Sequence, residues 1–154
     1  MRYLAALFVS LFTIAAFASF PREATLKELA SGSDHILAGH VIGVDMVDGN
    51  GKEITDDEAM TGPGLQTRIR LIIKVDEVFF STTKVVPETI RVPLDPMMHF
   101  SLGHIKEAYP KPSNSRLLIL QGESFEPVVP GVLFRDLTDA KKALKIRAKA
   151  QKSK

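Results

Sequence analysis

From Leu65 to Asp76 the chain alternates with a period of two. Leu65, Thr67, Ile69, Leu71, Ile73 and Val75 fall on one side, and Gln66, Arg68, Arg70, Lys74 and Asp76 on the other. A helix would scatter these residues around its axis, whereas a strand sorts them into an apolar and a polar face. The run is therefore a half-buried antiparallel strand, which needs partner strands and a core under its apolar side. After Glu77 the apolar phase passes to Val78 and Phe80, and one extra residue there re-aims the strand as a β-bulge does.

Other segments supply the partners. His35 to Val47 reads as a strand with Ile36, Ala38, Ile42, Val44 and Met46 on one face, His40 among them, and with Gly39 and Gly43 permitting a bend. Ile90, Val92 and Leu94 make another strand, which Pro93 places at an edge. Leu117 to Leu120 is a continuous apolar run, the pattern of a central strand covered on both faces. Phe125 to Phe134 is a last extended piece, broken by Pro127 and Pro130-Gly131. Short helices are expected from Arg22 to Ala30 and from Asp136 onward, where Leu137, Ala140, Leu144 and Ala148 share a stripe, with a helical turn between Leu102 and Tyr109. Residues 48–64 form a polar loop. The expected fold is mainly β within the α+β class, a small five- to six-stranded antiparallel OB-like barrel with short N-terminal and C-terminal helices.

The first eighteen residues carry an address. Arg2 precedes an apolar run from Leu4 to Phe17, and Ala16-Phe17-Ala18 places small residues where a signal peptidase reads them. The run is too short to span a bilayer, which takes roughly 20 residues. The expected organisation is a signal peptide over 1–18, a β-barrel domain over 19–139 and a basic helical tail over 140–154. The chain holds no cysteine. That excludes disulfides, thiol nucleophiles and cysteine-ligated metals. An exported domain without disulfides points to a bacterial periplasmic or secreted protein. Charge is uneven: residues 140–154 carry +7 with no acid, and residues 19–139 carry −6. No segment after the leader is long and apolar enough to span a membrane.

Five runs, SGSDHILAGHVIGVD, TRIRLIIKVDEVFF, TIRVPL, SRLLILQG and FEPVVPG, resemble in order and spacing the bacterial secreted relatives of netrin-like and TIMP-like modules. The resemblance covers about residues 23–134 and implies an OB-type barrel with flanking helices. The chain lacks the N-terminal cysteine that TIMP-type inhibitors place on a protease zinc, so that activity is not carried over. OB-type barrels bind oligonucleotides, sugars and proteins, which leaves the ligand open.

Several constellations are candidates for chemistry. Met97, Met98, His99 and His104 bring thioether and imidazole ligands, suited to copper, into a proline-bounded excursion. Against this stands packing of the methionines beneath the loop. Asp48, Asn50, Gly51 and Asp57 match part of a calcium loop, but Met46 stands where the first ligand belongs, and Asp-Gly-Asn-Gly also suits a tight turn. His35 and His40 are five apart on a strand and face opposite ways; His40 reads as a core or pocket-wall histidine. Asp95, Glu107, Glu123 and Glu126 are dispersed carboxylates that a hydrolase could pair, but no nucleophile or phosphate-binding motif is present. Arg68, Arg70 and Lys74 line the polar side of the long strand and suit an acidic partner. No aromatics interleave the basic tail to stack on bases, which disfavours nucleic acid. The expectation is an exported, non-catalytic binding module contacting a protein or envelope component. The alternatives are a periplasmic copper-binding protein and a hydrolase.

Overall fold

A computed structural model describes residues 23–109 and 113–152. The expected leader, residues 1–18, lies outside the described residues. In chain order the elements are α1 (Leu26–Ser31), β1 (His35–Val47), β2 (Arg68–Ser81), β3 (Thr89–Pro93), α2 (Leu102–Ala108), β4 (Arg116–Gln121), β5 (Glu126–Pro127) and β6 (Phe134–Arg135). A 3-10 turn (Leu137–Asp139) then leads into α3 (Ala140–Lys152). The fold is α+β and sheet-dominated. All strand pairings are antiparallel, in the order β3-β2-β1-β4-β5, with β6 also on β4.

The sheet is open: among the described residues no pairing joins β3 to β5, so hydrogen bonds do not close the expected OB-like barrel. Proline stands in both edge strands, Pro93 in β3 and Pro127 in β5. A proline nitrogen cannot donate, so each edge is blunted. The edges nevertheless approach, and a cleft of about 170 Å³ lies between them.

Two cores lie on opposite faces of the sheet. The inner core gathers Leu37, Val41 and Met46 of β1, Ile69, Leu71 and Ile73 of β2, Ile90 and Val92 of β3, Leu118 and Leu120 of β4, and Leu102 and Ile105 of α2. The outer core gathers Ile36, Leu117 and Ile119 with Leu29 and Ala30 of α1 and Ala140 and Ala143 of α3. The apolar run of β4 thus divides alternately between the cores, as expected of a strand covered on both faces. Each fully buried Leu or Ile contributes about 1.5–3 kcal/mol.

Bulges correct the face assignment of β1. The β1–β2 register steps over Phe79, Asp76 and Ile42, each an unpaired extra residue. The first two are on β2 beside Glu77, where the sequence places a bulge. The consequence for β1 is that Ile36 faces the outer core while Met46 faces the inner one. Ile36, Ala38, Ile42, Val44 and Met46 therefore do not share one face, because the extra residue Ile42 shifts the side-chain phase of β1. Past the bulge Phe79 and Phe80 pack on the outer core, and Val78 is exposed. Leu65 is exposed too, three residues before β2 begins.

The helices end where local hydrogen bonds set them. Thr25 caps α1: its hydroxyl accepts from Glu28 N–H at 3.2 Å, and the Glu28 carboxylate accepts from Thr25 N–H at 2.8 Å. This capping box starts the helix at Leu26, so residues 23–25 of the expected Arg22–Ala30 helix are not helical. At the other end of the chain the Asp136 carboxylate accepts from Thr138 N–H at 2.8 Å and starts the 3-10 turn. Leu137 and Ala148 remain exposed, so the buried stripe of α3 is Ala140 and Ala143, flanked by Leu144, Ile146 and Arg147. Small residues let α3 lie close on α1.

Candidate functional site

The helices α1 and α3 cover only one end of the outer sheet face. Over the remainder, register sets Lys74 beside His40, Ile72 beside Gly43 and Arg91, and Arg70 beside Asp45 and Pro93, with Arg68 next along β2. No element covers them: Arg68, Lys74, Thr89 and Arg91 are exposed, and Ile72, Arg70 and His40 are half-buried. The expected trio Arg68, Arg70 and Lys74 therefore does share one surface. Its members differ in freedom. Arg70 grips Asp45 with a two-point fork, Nε to Oδ1 at 2.7 Å and a terminal nitrogen to Oδ2 at 2.8 Å. Arg91 donates to the same Oδ2 at 3.0 Å. One carboxylate thus holds two guanidiniums, and this arrangement retains a net positive charge. Arg68 and Lys74 extend the positive strip along the strand.

His40 stands at one end of the strip. Its Nδ1 lies 2.9 Å from Asp76 Oδ2, so the ring is a partner of a carboxylate on the outer face rather than a core or pocket-wall residue. Desolvation pulls the Asp76 carboxyl upward. The hydrogen bond from His40, the nearby Ser115 hydroxyl and the charges of His40 and Lys74 outweigh it and hold Asp76 below the usual carboxylate range. His35 is the buried histidine. Its Nε2 donates to the Gly122 carbonyl at 3.0 Å, and its Nδ1 lies 2.9 Å from the Ser81 hydroxyl. The ring packs on Phe125 with centroids 4.5 Å apart. It ties β1, β2 and the turn after β4 together.

The other sequence candidates are spread out. Met97 and Met98 are 64% and 50% exposed, so neither packs beneath its loop. His99 lies against Gly62, where any Cβ would come within 2.6 Å of its ring, and exposed His104 lies in the first turn of α2. The loop itself is tethered, because the buried Thr61 hydroxyl donates to Met98 O at 2.8 Å and accepts from Phe100 N–H at 3.2 Å. Among the described residues no three His, Asp or Glu side chains converge to hold a metal. In the calcium-like loop the Asp48 carboxylate accepts from the Asn50 and Lys52 amides at 2.8 and 2.9 Å, and Gly51 takes φ +82°. Asp57 instead receives Lys106 Nζ at 2.6 Å. Both acids thus serve the local loop structure.

Of the dispersed carboxylates, Asp95 and Glu126 line the cleft between the sheet edges, together with Arg68. Asp95 already accepts from Met97 N–H at 2.9 Å, and Glu126 is exposed. A second, larger groove of about 680 Å³ runs between the approach to α1, Tyr109 and β6. Burial raises the Tyr109 hydroxyl pKa there, against the opposing charge of Arg116.

Cross-strand pairing brings in the residues that sequence reasoning missed. Asp45 and Arg91 join the strip from β1 and β3, and only the register reveals them. Compared with known proteins, the chain matches no family model and no curated protein.

Proposed function

We propose that this protein is an exported, non-catalytic binding module, and that the uncovered outer face of β1, β2 and β3 receives an acidic protein of the cell envelope. The single observation that carries this reading is the strip itself. Arg68, Lys74 and Arg91 stand exposed around the half-buried Ile72, while Arg70 is fixed by Asp45. A partly apolar centre with a cationic surround suits a polar, electrostatically steered interface. The rigid sheet beneath keeps the side chains in register without loop ordering. The edges of β3 and β5 approach one another, which supports the partly open OB-type layout implied by the netrin-like and TIMP-like resemblance. The leader over 1–18 supports export to a periplasmic or extracellular space. No helix of the described residues is long and apolar enough to cross a membrane.

Affinity capture from envelope extract tests the proposal. The wild-type chain is expected to retain a discrete acidic protein that elutes with salt. The double variant Arg68→Glu, Lys74→Glu, which breaks no salt bridge among the described residues, is expected to lose it. Retention of the same proteins by both chains would overturn the reading.

A further inference from the structure

We infer that α3 presents a second, independent surface, a lysine row that seats the protein on an anionic lipid bilayer. At roughly 100° per residue, Lys141, Lys142, Lys145, Lys149 and Lys152 fall within an arc of about 100° on the helix. The row is about 16 Å long, from the rise per residue. The opposite side of α3 is spent on packing. Ala140 and Ala143 are buried against the outer core, with Leu144 and Ile146 beside them. Arg147 locks the helix in place: its Nε donates to Ser33 O at 2.6 Å, and its guanidinium lies 5.1 Å from the centre of the Phe80 ring. The lysines are therefore displayed by a fixed element. Lys141, Lys142, Lys145 and Lys152 are exposed, and α3 contains no acid.

The make-up of the row selects the partner. Lysine is a compact point charge without the planar fork that reads one carboxylate or phosphate in a set geometry. No apolar or aromatic side chain lies within the arc, so it lacks the anchors on which a specific protein interface is built. A straight line of positive charges suits a planar array of phosphodiester headgroups. The same lack of apolar residues means that the helix rests on the headgroups and does not enter the acyl region. The strip on β2 differs in each respect, since it carries arginines and the apolar Ile72.

Vesicle co-sedimentation of the processed chain tests the inference. The chain is expected to pellet with vesicles of about equal phosphatidylglycerol and phosphatidylcholine at low salt, and to be released near 0.5 M salt, where the Debye length is roughly 4 Å. It is expected to ignore pure phosphatidylcholine. Lys141→Glu, Lys142→Glu, Lys145→Glu is expected to weaken binding by about tenfold or more, with an unchanged circular dichroism spectrum. Arg68→Glu, Lys74→Glu is expected to bind vesicles as the wild type does, which separates this surface from the sheet face. Equal binding to both vesicle types, no binding to the anionic ones, or an unaffected triple lysine variant would overturn the inference. So would binding to polyglutamate in solution with no vesicle binding, which would assign the row to an acidic polymer.

Discussion

Gly39 and Gly32 carry the same side chain and differ in what surrounds it. A Cβ on Gly39 would stand 2.7 Å from the Lys74 carbonyl oxygen and 2.9 Å from Ile73 Cγ2. The backbone oxygen cannot step aside without breaking the β1–β2 ladder. Gly39→Ala is expected to cost about 1–3 kcal/mol in urea unfolding. A Cβ on Gly32 would meet Val128 Cγ1 at 3.6 Å and the Glu28 carbonyl oxygen at 4.0 Å, both ordinary contacts. Gly32→Ala is expected to stay within about 0.5 kcal/mol of wild type. Equal costs would show that the close approach at Gly39 is not what the fold needs. Asp76 gives a pH test at the same scale. Its folded pKa lies below the ordinary 3.8, so its contribution is present above that value and is lost as pH falls through the lower folded value. Stability of the wild type should therefore drop on acidification below about pH 4. Asp76→Asn should start lower at pH 6 and converge on the wild type toward pH 2, as followed by urea midpoints. Parallel curves would contradict the His40–Asp76 pairing.

Elements were legible to the extent that their causes are local. The bounds of β1, His35–Val47, follow from an apolar run closed by Asp48-Gly49, and β3 is placed at an edge by Pro93. The faces of β1 were not legible, because the bulge at Ile42 arises from how two distant strands register. The start of α1 was legible in Thr25-Leu26-Lys27-Glu28, a capping box that apolar spacing alone passes over. Thr25→Ala is expected to cost about 1 kcal/mol in thermal unfolding, a large share for a six-residue helix. An unchanged melting temperature would mean that packing on α3 alone holds α1. The candidate face was half legible. Alternation sorts Arg68, Arg70 and Lys74 onto one side, but Asp45, Arg91 and His40 reach them only through pairing. The anchoring of Arg147 to Ser33 and Phe80 could not be read from a lysine-rich helix, since its partners lie more than 60 residues away in sequence.

At the scale of the molecule, one sheet separates two cores, and the outer one occupies only part of its face. Extending the covering helices would bury Ile72 but would strand Arg68 and Lys74 away from water, at a desolvation cost that charges without a salt-bridge partner do not recover. The uncovered area is the surface proposed above for a partner, with its charge set by residues from three strands. Site-specific photo-crosslinking from Thr89, exposed on this face, in cells that make the protein tests this claim most directly. The expected result is one discrete adduct with an acidic envelope protein, absent when the crosslinker is moved to exposed Lys84 and absent in the Arg68→Glu, Lys74→Glu background. No adduct from Thr89, or one that survives the charge reversal, would contradict it.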